Sequence, residues 1–366
     1  MIRVLHVLGG LGTGGAENLI MNWYRAIDRS TIQFDFLVRS DDHNFVEEIH
    51  SLGGEVYYTA SFPRHALKNY RETDRLLRTG KWDVIHVHGN AALYMTALVL
   101  AKKYNVPCRI MHSHSVKAVN PLFSTIHCIN RRKLNSYTTE QLACSQKAGC
   151  WMFGKNPFSI LKNSISTDDF AFSQDKRCLI RKEFQLEEKF VVGHVGRFVE
   201  SKNHSFVLRV FDQILKARKD AVLLLVGDGE VEGQVRSRVH EMGLDGSVVF
   251  AGRRNDIGCL MSAMDVFLFP SLYEGMPVVL IEAQANGLPC FVSQEAITDE
   301  VHITPAFHSI SLKESAEQWA EQILSCSFGL EDRAMGKELV KQSGYDVRSV
   351  VNELETIYEN GAHGGV

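Results

Sequence analysis

Short runs of apolar, β-branched residues alternate along the chain with longer segments in which apolar residues recur every three or four positions. The short runs are typical of strands buried on both faces, and the longer segments predict amphipathic helices, most clearly at residues 16–26 and 206–215. The predicted strands are residues 2–8, 33–38, 84–87, 109–112, 142–145, 190–195, 222–226, 248–251, 266–269 and 289–292. This alternation predicts α/β architecture with parallel sheets covered by helices.

The strand–helix rhythm pauses between about residues 170 and 190, where the polar segment 173–177 is typical of an interdomain linker. A chain of 366 residues has room for about two domains. We therefore expect two doubly wound domains, 1–172 and 173–345, with a last helix at about 346–360 that could pack back on the first. Ligands of such sheets bind at the carboxyl ends of the strands, so a cleft between the two edges is the expected site.

The composition is that of a soluble globular protein, with 45% hydrophobic and 23% charged residues, which excludes disordered, collagenous and coiled-coil proteins. The net charge of -3 gives no indication of a nucleic-acid partner. Residues 1–172 hold 20 basic and 14 acidic residues, whereas residues 173–366 hold 20 and 29. Net charges of +6 and -9 predict two domains with different partners.

Cysteine spacing and hydropathy predict a cytoplasmic protein. The eight cysteines form no C-x-x-C pair, and the closest two, Cys144 and Cys150, have no histidine near them in sequence. The longest uncharged apolar stretch, residues 91–101, is too short to span a bilayer, and residues 1–8 resemble a buried strand more than a signal peptide. Any membrane association is therefore expected to be peripheral.

A glycine tract, residues 9–15, follows the first predicted strand and opens a helix. Glycines allow close approach of the backbone to a ligand, and a helix start favours an anion. Gly10, Gly12 and Gly15 match the dinucleotide pattern G-x-G-x-x-G, but the second strand ends in Arg39 rather than in an acidic residue. A phosphate or sugar loop is the preferred interpretation, with NAD binding or a simple tight turn as alternatives.

Histidines cluster at two predicted strand ends. His112 and His114 are two apart, so on an extended chain both side chains share one face, whereas a turn after His112 would leave only one of them there. His86 and His88 end another strand. Such a histidine could donate to a sugar hydroxyl, and without a third ligand in range we expect no metal. Structural or solvated histidines are the alternative.

Two further motifs carry charged residues at strand ends of the second half. Arg197 and Lys202 lie five apart after Gly193 and Gly196, a pair of cations suited to a pyrophosphate or, alternatively, a solvated surface pair. Glu274 and Glu282 lie eight apart in a loop and the helix after it, where carboxylates could accept hydrogen bonds from sugar hydroxyls or simply cap the helix.

In this order, these motifs resemble the family 4 retaining glycosyltransferases (the "group 1" glycosyltransferase domain), which have the GT-B fold of two Rossmann-like domains facing a cleft. The resemblance covers nearly the whole chain and is strongest over residues 193–289, with the E-x7-E of Glu274 and Glu282 as its most specific element. Residues 14–17 (GGAE) and 112–114 (HSH) are most similar to the bacterial exopolysaccharide and capsule branch. One departure is residues 163–166, NSIS, where the family often has N-G-(I/V)-D.

The resemblance implies roles for individual residues. Arg197 and Lys202 would bind the donor pyrophosphate, Glu282 the ribose hydroxyls, and Glu274 the donor sugar. A histidine matching His112 or His114 would contact that sugar. The resemblance implies further contacts to the donor for Gly196, Gly275, Met276, Pro277 and Val278, and Arg254 lies in a stretch, residues 253–255, that would line the base largely through its backbone. It implies contacts to phosphate or acceptor for Gly14 and Gly15.

The implied reaction moves a hexosyl unit from a nucleotide diphosphate sugar, with a UDP-sugar preferred, to a hydroxyl group, and configuration is retained without a metal or other cofactor. The acceptor is expected to be a lipid-linked saccharide at the first domain. Residues 115–134 mix apolar with basic residues, so they could contact an anionic membrane at the inner face of the plasma membrane or form an ordinary packed helix. The rival functions are a nucleotide-sugar epimerase or hydrolase and a non-catalytic nucleotide-sugar-binding protein.

Overall fold

The computed structural model of the chain describes residues 1–12, 14–40, 43–115, 121–274, 276–297, 299–326 and 329–364, with the backbone alone for 121–123 and 299. The chain divides into two compact units. The first unit comprises Met1–Ser164 and Val347–Val366, and the second comprises Ile165–Asp346.

The strands are β1 (Ile2–Val7), β2 (Ile32–Val38), β3 (Val56–Tyr58), β4 (Val84–Gly89), β5 (Cys108–Ser113), β6 (Glu140–Ala143), β7 (Ser159–Ile160), β8 (Phe190–Val195), β9 (Ala221–Val226), β10 (Val248–Gly252), β11 (Val266–Phe269), β12 (Cys290–Ser293) and β13 (Phe307–Ile310). The helices are α1 (Gly15–Ala26), α2 (Val46–Ser51), α3 (Ala66–Leu77), α4 (Thr96–Lys103), α5 (Pro121–Asn130), α6 (Gln146–Phe153), α7 (Thr167–Phe170), α8 (Gln174–Glu183), α9 (His204–Ala217), α10 (Glu232–Glu241), α11 (Ile257–Ala263), α12 (Val278–Ala285), α13 (Ala316–Ser325), α14 (Ala334–Gln342) and α15 (Val347–Ala362).

Each unit contains one parallel sheet, as the apolar strand pattern predicts. The first has the order β3-β2-β1-β4-β5-β6-β7 and the second the order β10-β9-β8-β11-β12-β13. In each sheet, the strand that comes first in sequence, β1 or β8, lies inside the sheet. The next two strands in sequence extend the sheet on one side of it, and the later strands extend it on the other side. This is the topology of a doubly wound Rossmann-like fold. Ligands in such sheets bind where the order reverses, beyond the carboxyl ends of the strands. These points are β1/β4 in the first unit and β8/β11 in the second.

All ten predicted strands are present within one or two residues of the predicted bounds. The sequence pattern missed β3, β7 and β13 because these are short strands with polar or exposed positions: Tyr58 in β3 is 44% exposed and Ile160 in β7 is 37% exposed. Both strands close the first sheet at its edges, where one side is unpaired and less apolar surface is buried. The predicted helices at 16–26 and 206–215 are α1 and α9.

The last helix, α15, belongs to the first unit and packs on α1, β1, β4 and β5. Its Tyr358 side chain is fully buried, and the hydroxyl lies 2.7 Å from Nδ1 of His86. Trp23 of α1 is buried on the same side, and its Nε1 donates to Oγ of Ser164 at 3.2 Å. Two aromatic residues from distant parts of the chain therefore cover the centre of this sheet.

The core of the second unit includes large buried side chains from its central strands, among them Phe267 and Phe269. Gly193 in β8 lies where a Cβ atom would be 2.0 Å from the Met264 sulfur, so a larger residue would push the strand away from its neighbour. No helix among the described residues is long and apolar enough to cross a membrane.

Candidate active site

The loops that follow β8 and β9 are packed directly against each other at the carboxyl edge of the second sheet. Gly227 has φ of 134°, and a Cβ atom there would lie 2.1 Å from the carbonyl oxygen of Gly196. Gly229 has φ of 155° and would clash with the backbone of Phe198. Only glycine tolerates both these backbone angles and so close an approach of another backbone segment. Gly227 and Gly229 therefore fix the position of the loop that carries Arg197.

The loop after β8 is also tied to the loop after β11. The N–H of Leu272 donates to the carbonyl of Ser201 at 2.8 Å, and Nδ2 of Asn203 donates to the carbonyl of Pro270 at 3.1 Å. Asn203 has a left-handed conformation (φ 56°, ψ 44°) that ends a short 3-10 turn and begins α9. These contacts hold the two loops that carry Lys202 and Glu274 in one arrangement.

Lys202 and Glu274 form an ion pair at the β8/β11 point. Nζ of Lys202 lies 2.7 Å from Oε1 of Glu274, and the two side chains are only 15% and 14% exposed. The same ammonium lies 4.5 Å from the centre of the Phe269 ring, and the lysine stem passes over Gly196. The structure therefore brings together two sequence-predicted residues that are 72 positions apart.

Arg197 is exposed close in sequence to this pair, and no carboxylate among the described residues forms an ion pair with it. Its guanidinium is free of the internal neutralisation that Glu274 gives to Lys202. The exposed guanidinium of Arg197, which has no carboxylate partner among the described residues, and the nearby ammonium of Lys202 are groups that bind phosphate.

Glu282 lies on the helix that follows the Glu274 loop. It is half-buried on α12, and among the described residues its carboxylate has neither a hydrogen-bond donor nor an ion-pair partner. Burial raises the pKa of Glu282 to about 7. A desolvated, unpartnered carboxylate of this kind gains stability from a ligand that donates hydrogen bonds to it.

The backbone leading into α12 contains the other predicted sugar-binding positions. Pro277 is the residue before the first turn of the helix, and Met276 and Val278 are half-buried beside it. Gly275 lies outside the described residues. The N–H groups at the start of the helix have no partners within the helix, and the helix dipole there favours a negatively charged ligand.

The guanidinium of Arg254 contacts carboxylates of its own unit. Its guanidinium donates to both oxygens of Asp256, at 2.8 and 2.7 Å, and to both oxygens of Glu183, at 2.7 and 3.3 Å. Hydrogen bonds with these carboxylates raise the pKa of Arg254. The side chain therefore joins the loop after β10 to α8, and its guanidinium is occupied by these carboxylates.

His194 and His204 were not predicted from the sequence as site residues. His204 begins α9, is 3% exposed, and stacks on Phe198 at 4.3 Å; neither of its ring nitrogens has a hydrogen-bond partner among the described residues. Burial, with a smaller contribution from Lys202, lowers its pKa to about 4. The K-N-H sequence at 202–204 was the available signal, since it leaves a histidine at the helix start beside the cations.

In the first unit, the glycine tract leads into α1 at the end of β1. Gly14 precedes the first turn of α1 with φ of -73°, and Asn18 binds its carbonyl through both the backbone N–H (3.1 Å) and Nδ2 (2.9 Å). A Cβ atom on Gly15 would meet no atom within 4 Å. The backbone angles of Gly14 do not require glycine, but a Cβ atom there would overlap the Glu17 carboxylate, which is the end of a flexible side chain and would have to move.

His112 and His114 lie on the same face, as expected for residues two apart on an extended chain. Their ring centres are 4.2 Å apart. His112 is completely buried and stacks on Trp23 at 5.8 Å, whereas His114 is half-buried. Of the two, only His114 has surface through which it could touch a ligand.

These two histidines belong to a larger group that crosses three strands, which we call the histidine cluster: His6, His86, His88, His112 and His114. The parallel register pairs His6 with His86 and His88 with His112. The histidines of β4 and β5 were predicted from the sequence as strand-end residues, whereas His6 was not predicted. Histidine alternates with apolar residues in these strands, and this alternation was the signal for the cluster in the sequence. The strand order is needed to show that the histidines of the three strands are neighbours.

Residues 121–136 form α5 and a 3-10 turn, with residues 116–120 and the side chains of 121–123 outside the described part. His127 anchors α5, because its ring nitrogens lie 2.9 Å from the Ala92 nitrogen and 3.0 Å from the Trp151 carbonyl oxygen. Ile126 and Ile129 are nevertheless 38% and 57% exposed. The segment is thus a packed helix that still presents apolar side chains, followed by exposed Arg132 and Lys133.

Known families match most of the chain. The family model "Glycosyl transferases group 1" matches residues 176–338, and "Glycosyltransferase Family 4" matches residues 13–146. The chain is 35% identical over 374 residues to "Putative glycosyltransferase EpsF" of Bacillus subtilis (strain 168), covering 97% of this chain and 96% of that protein.

Two other relatives have more specific names. CapH of Staphylococcus aureus, a capsular polysaccharide biosynthesis glycosyltransferase, is 26% identical over 98% of this chain and 99% of its own length. The UDP-Gal:alpha-D-GlcNAc-diphosphoundecaprenol alpha-1,3-galactosyltransferase of Escherichia coli is 28% identical over 60% of this chain and 59% of its own.

Solved structures share the fold. Anabaena HepE in complex with UDP superposes with a TM-score of 0.81 at 18% identity, covering 98% of this chain and 100% of that one. The HepE complex with UDP-glucose gives a TM-score of 0.78 over the same shares. At such identities the likeness concerns the fold alone, and it confirms the predicted GT-B fold.

Proposed function

Because the chain belongs to the glycosyltransferase family of group 1 and family 4, we propose that it transfers a hexosyl unit from a UDP-sugar to a hydroxyl group of a lipid-linked glycan. The observation that carries the proposal is the arrangement of Lys202, Glu274 and Glu282 at the β8/β11 edge. It combines a phosphate-binding cation with two carboxylates suited to hydroxyl groups.

Arg197 and Lys202 bind the diphosphate of the donor. Negative charge develops on this leaving group as the bond to the sugar breaks, and fixed positive charges lower the energy of that state. The N–H groups at the start of α12 add to this field. Gly196 is part of the site because its lack of a side chain allows the Lys202 stem to pass over it.

Glu274 accepts hydrogen bonds from donor-sugar hydroxyls while its other contact, the ion pair with Lys202, holds the carboxylate in place. Glu282 accepts from the ribose hydroxyls, which supply the donors that its carboxylate lacks in the free protein. The backbone of residues 275–278 holds the sugar, and that of residues 253–255 lines the base. For Arg254, the partners described above leave a positioning role for the side chain and a ligand contact for the backbone.

Transfer retains the configuration of the sugar through a front-face reaction. The acceptor oxygen forms its bond to the anomeric carbon on the side from which the phosphate oxygen departs. The acceptor hydroxyl gives its proton to the departing phosphate oxygen, so no additional base is required. His114, the partly exposed member of the histidine pair, contacts the donor sugar, while His112 supports it from below.

The first unit receives the acceptor, with Gly14 and Gly15 near its phosphate or saccharide, and the second receives the donor. The name of the Escherichia coli relative, which includes a diphosphoundecaprenol acceptor, supports a lipid-linked acceptor, and that of CapH supports surface-polysaccharide synthesis. The exposed isoleucines of α5 and the basic residues after it would contact the inner face of the plasma membrane from the cytoplasm.

The proposal is tested by measuring donor turnover with and without a diphosphate-linked lipid saccharide. We expect consumption of one or more UDP-hexoses only with the acceptor, and an acceptor mass increased by one hexosyl unit. An epimerase or hydrolase would release product without the acceptor, and a binding protein would release none. Either result would replace the proposed transfer.

A further inference from the structure

The histidine cluster offers more ring nitrogens than its own hydrogen bonds use. Its members lie on β1 and β4 and on and just after β5, and all but His114 are less than 9% exposed. The Nε2 atoms of His6 and His112 are buried without a hydrogen-bond partner among the described residues. An unpaired buried polar atom is destabilising, so the hydrogen bonding of the cluster is incomplete.

Three members of the cluster have the geometry of a ligand set. One ring nitrogen from each of His88, His112 and His114 lies within 4.8 Å of those of the other two. Nδ1 of His88 and Nε2 of His114 face each other at 2.9 Å. Two nitrogen ligands on a tetrahedral zinc ion, at about 2.0–2.1 Å from the metal, are separated by about 3.3 Å. A small outward movement of these rings would therefore admit an ion.

The outer nitrogens of His88 and His112 already have partners. Nε2 of His88 lies 2.9 Å from Nδ1 of His6. Nδ1 of His112 lies 3.3 Å from Nε2 of His86, whose Nδ1 lies 2.7 Å from the Tyr358 hydroxyl. A histidine bound to a metal usually donates its other N–H to a neighbour, which fixes the ring and its tautomer. His6, His86 and Tyr358 are positioned for that role.

We propose that His88, His112 and His114 bind one divalent transition-metal ion of the zinc class, with the fourth coordination position open beside the partly exposed His114. This contradicts the expectation from sequence, which rested on the lack of a third ligand; His88 is that ligand, supplied by the neighbouring strand β4.

The metal site goes beyond the proposed transfer and is tested separately from it. A bound ion would occupy the His114 nitrogen that faces His88, so the ion would compete with the sugar contact proposed for that residue. Metal binding is therefore measured on the free protein, and a failure of the site would leave the transfer assay unaffected.

The test is a titration of untagged, metal-stripped protein with Co²⁺, followed by visible absorption, and with Zn²⁺ as a competitor. We expect one equivalent of Co²⁺ with the absorption of a tetrahedral site, displaced by Zn²⁺. His114→Ala should weaken Co²⁺ binding at least tenfold, whereas His114→Cys should keep it and add a sulfur-to-cobalt charge-transfer band. His240→Ala, at an exposed histidine of α10, is the matched control.

Far-UV circular dichroism of each variant checks that the unit is folded, and His114 is chosen because it is the least buried of the three ligands. Failure of the wild-type protein to bind Co²⁺ or Zn²⁺ at one equivalent would overturn the proposal. Unchanged binding in His114→Ala would overturn it as well.

Discussion

The ammonium of Lys202 lies 2.7 Å from the carboxylate of Glu274 and joins the loops after two adjacent strands, β8 and β11. Because both side chains are largely buried, this pair is held more firmly than a surface ion pair. It fixes the position of the Lys202 ammonium where the strand order reverses, which is where doubly wound sheets bind their ligands. The proposed donor site is built around this pair.

Replacing Lys202 with alanine should lower kcat/KM for the donor by tenfold or more. A hydrogen bond between charged groups contributes roughly 1.5–3 kcal/mol, and about 1.4 kcal/mol corresponds to a factor of ten in rate. Steady-state kinetics with the UDP-sugar checks this. Lys216→Ala is the control, because Lys216 forms an exposed pair with Asp212 on α9 and should be dispensable. A Lys202→Ala enzyme at the wild-type rate would refute the assignment.

The raised pKa of Glu282 predicts a pH-dependent stability of the second unit. With a folded pKa of about 7, the folded protein holds a proton that the unfolded chain has already lost near pH 6. Stability is therefore greatest at low pH within this window and falls as pH rises through 7. For this partly exposed carboxylate we expect a loss on the order of 2 kcal/mol between pH 5 and 8.

Urea unfolding of wild-type and Glu282→Gln proteins at the two pH values measures this loss, since the amide does not titrate. The free energies of unfolding of the two proteins should differ little at pH 5, and at pH 8 that of Glu282→Gln should be the larger. Glu241→Gln, at an exposed carboxylate of α10, should follow the wild-type profile. Parallel profiles for wild type and Glu282→Gln would contradict the assigned pKa.

Gly227 should be irreplaceable for a reason that is local and steric. Alanine there would combine φ of 134° with a Cβ only 2.1 Å from the Gly196 carbonyl oxygen, so we expect a loss of about 2 kcal/mol or more and displacement of the Arg197 loop. Thermal unfolding and UDP affinity both report this. Gly233→Ala in α10 meets no atom within 4 Å and should leave stability equal or raised. Tolerance of alanine at Gly227 would argue against the fixed loop.

Membrane contact should depend on the exposed residues of α5 and the turn after it. Each basic residue near an anionic surface contributes about 1 kcal/mol, so Arg132→Gln with Lys133→Gln should weaken binding to phosphatidylglycerol vesicles by tenfold or more at low salt. Vesicle co-sedimentation across salt concentrations measures the effect. The double variant Arg236→Gln with Arg238→Gln on α10 of the second unit is the control. No vesicle binding by the wild-type protein at low salt would reject the membrane role.

Most of the fold could be predicted from sequence because buried parallel strands are continuous apolar runs, as in residues 222–226. The missed strand β13 explains the limit of that signal. Its sequence, FHSI, contains polar residues at His308 and Ser309, and it lies at the edge of the second sheet, where only Phe307 and Ile310 are buried. Edge strands carry too few buried positions to stand out in hydropathy.

The candidate site was predictable as a set of loop residues but not as a set of contacts. Lys202 and Glu274 were each identified from their motifs, but their pairing depends on β8 lying beside β11, which no local pattern reveals. Arg254 illustrates the same limit, because Glu183, 71 positions away, takes up its guanidinium. His88 meets His112 for the same reason, through the neighbouring positions of β4 and β5.

The most direct test of the central claim is NMR of the product formed from a UDP-α-hexose and a diphosphate-linked lipid saccharide. We expect an acceptor extended by one hexosyl unit with the α configuration of the donor, and a product yield that falls at least tenfold with Lys202→Ala. A β-linked product would contradict retention. Free hexose released without extension of the acceptor would contradict transfer itself.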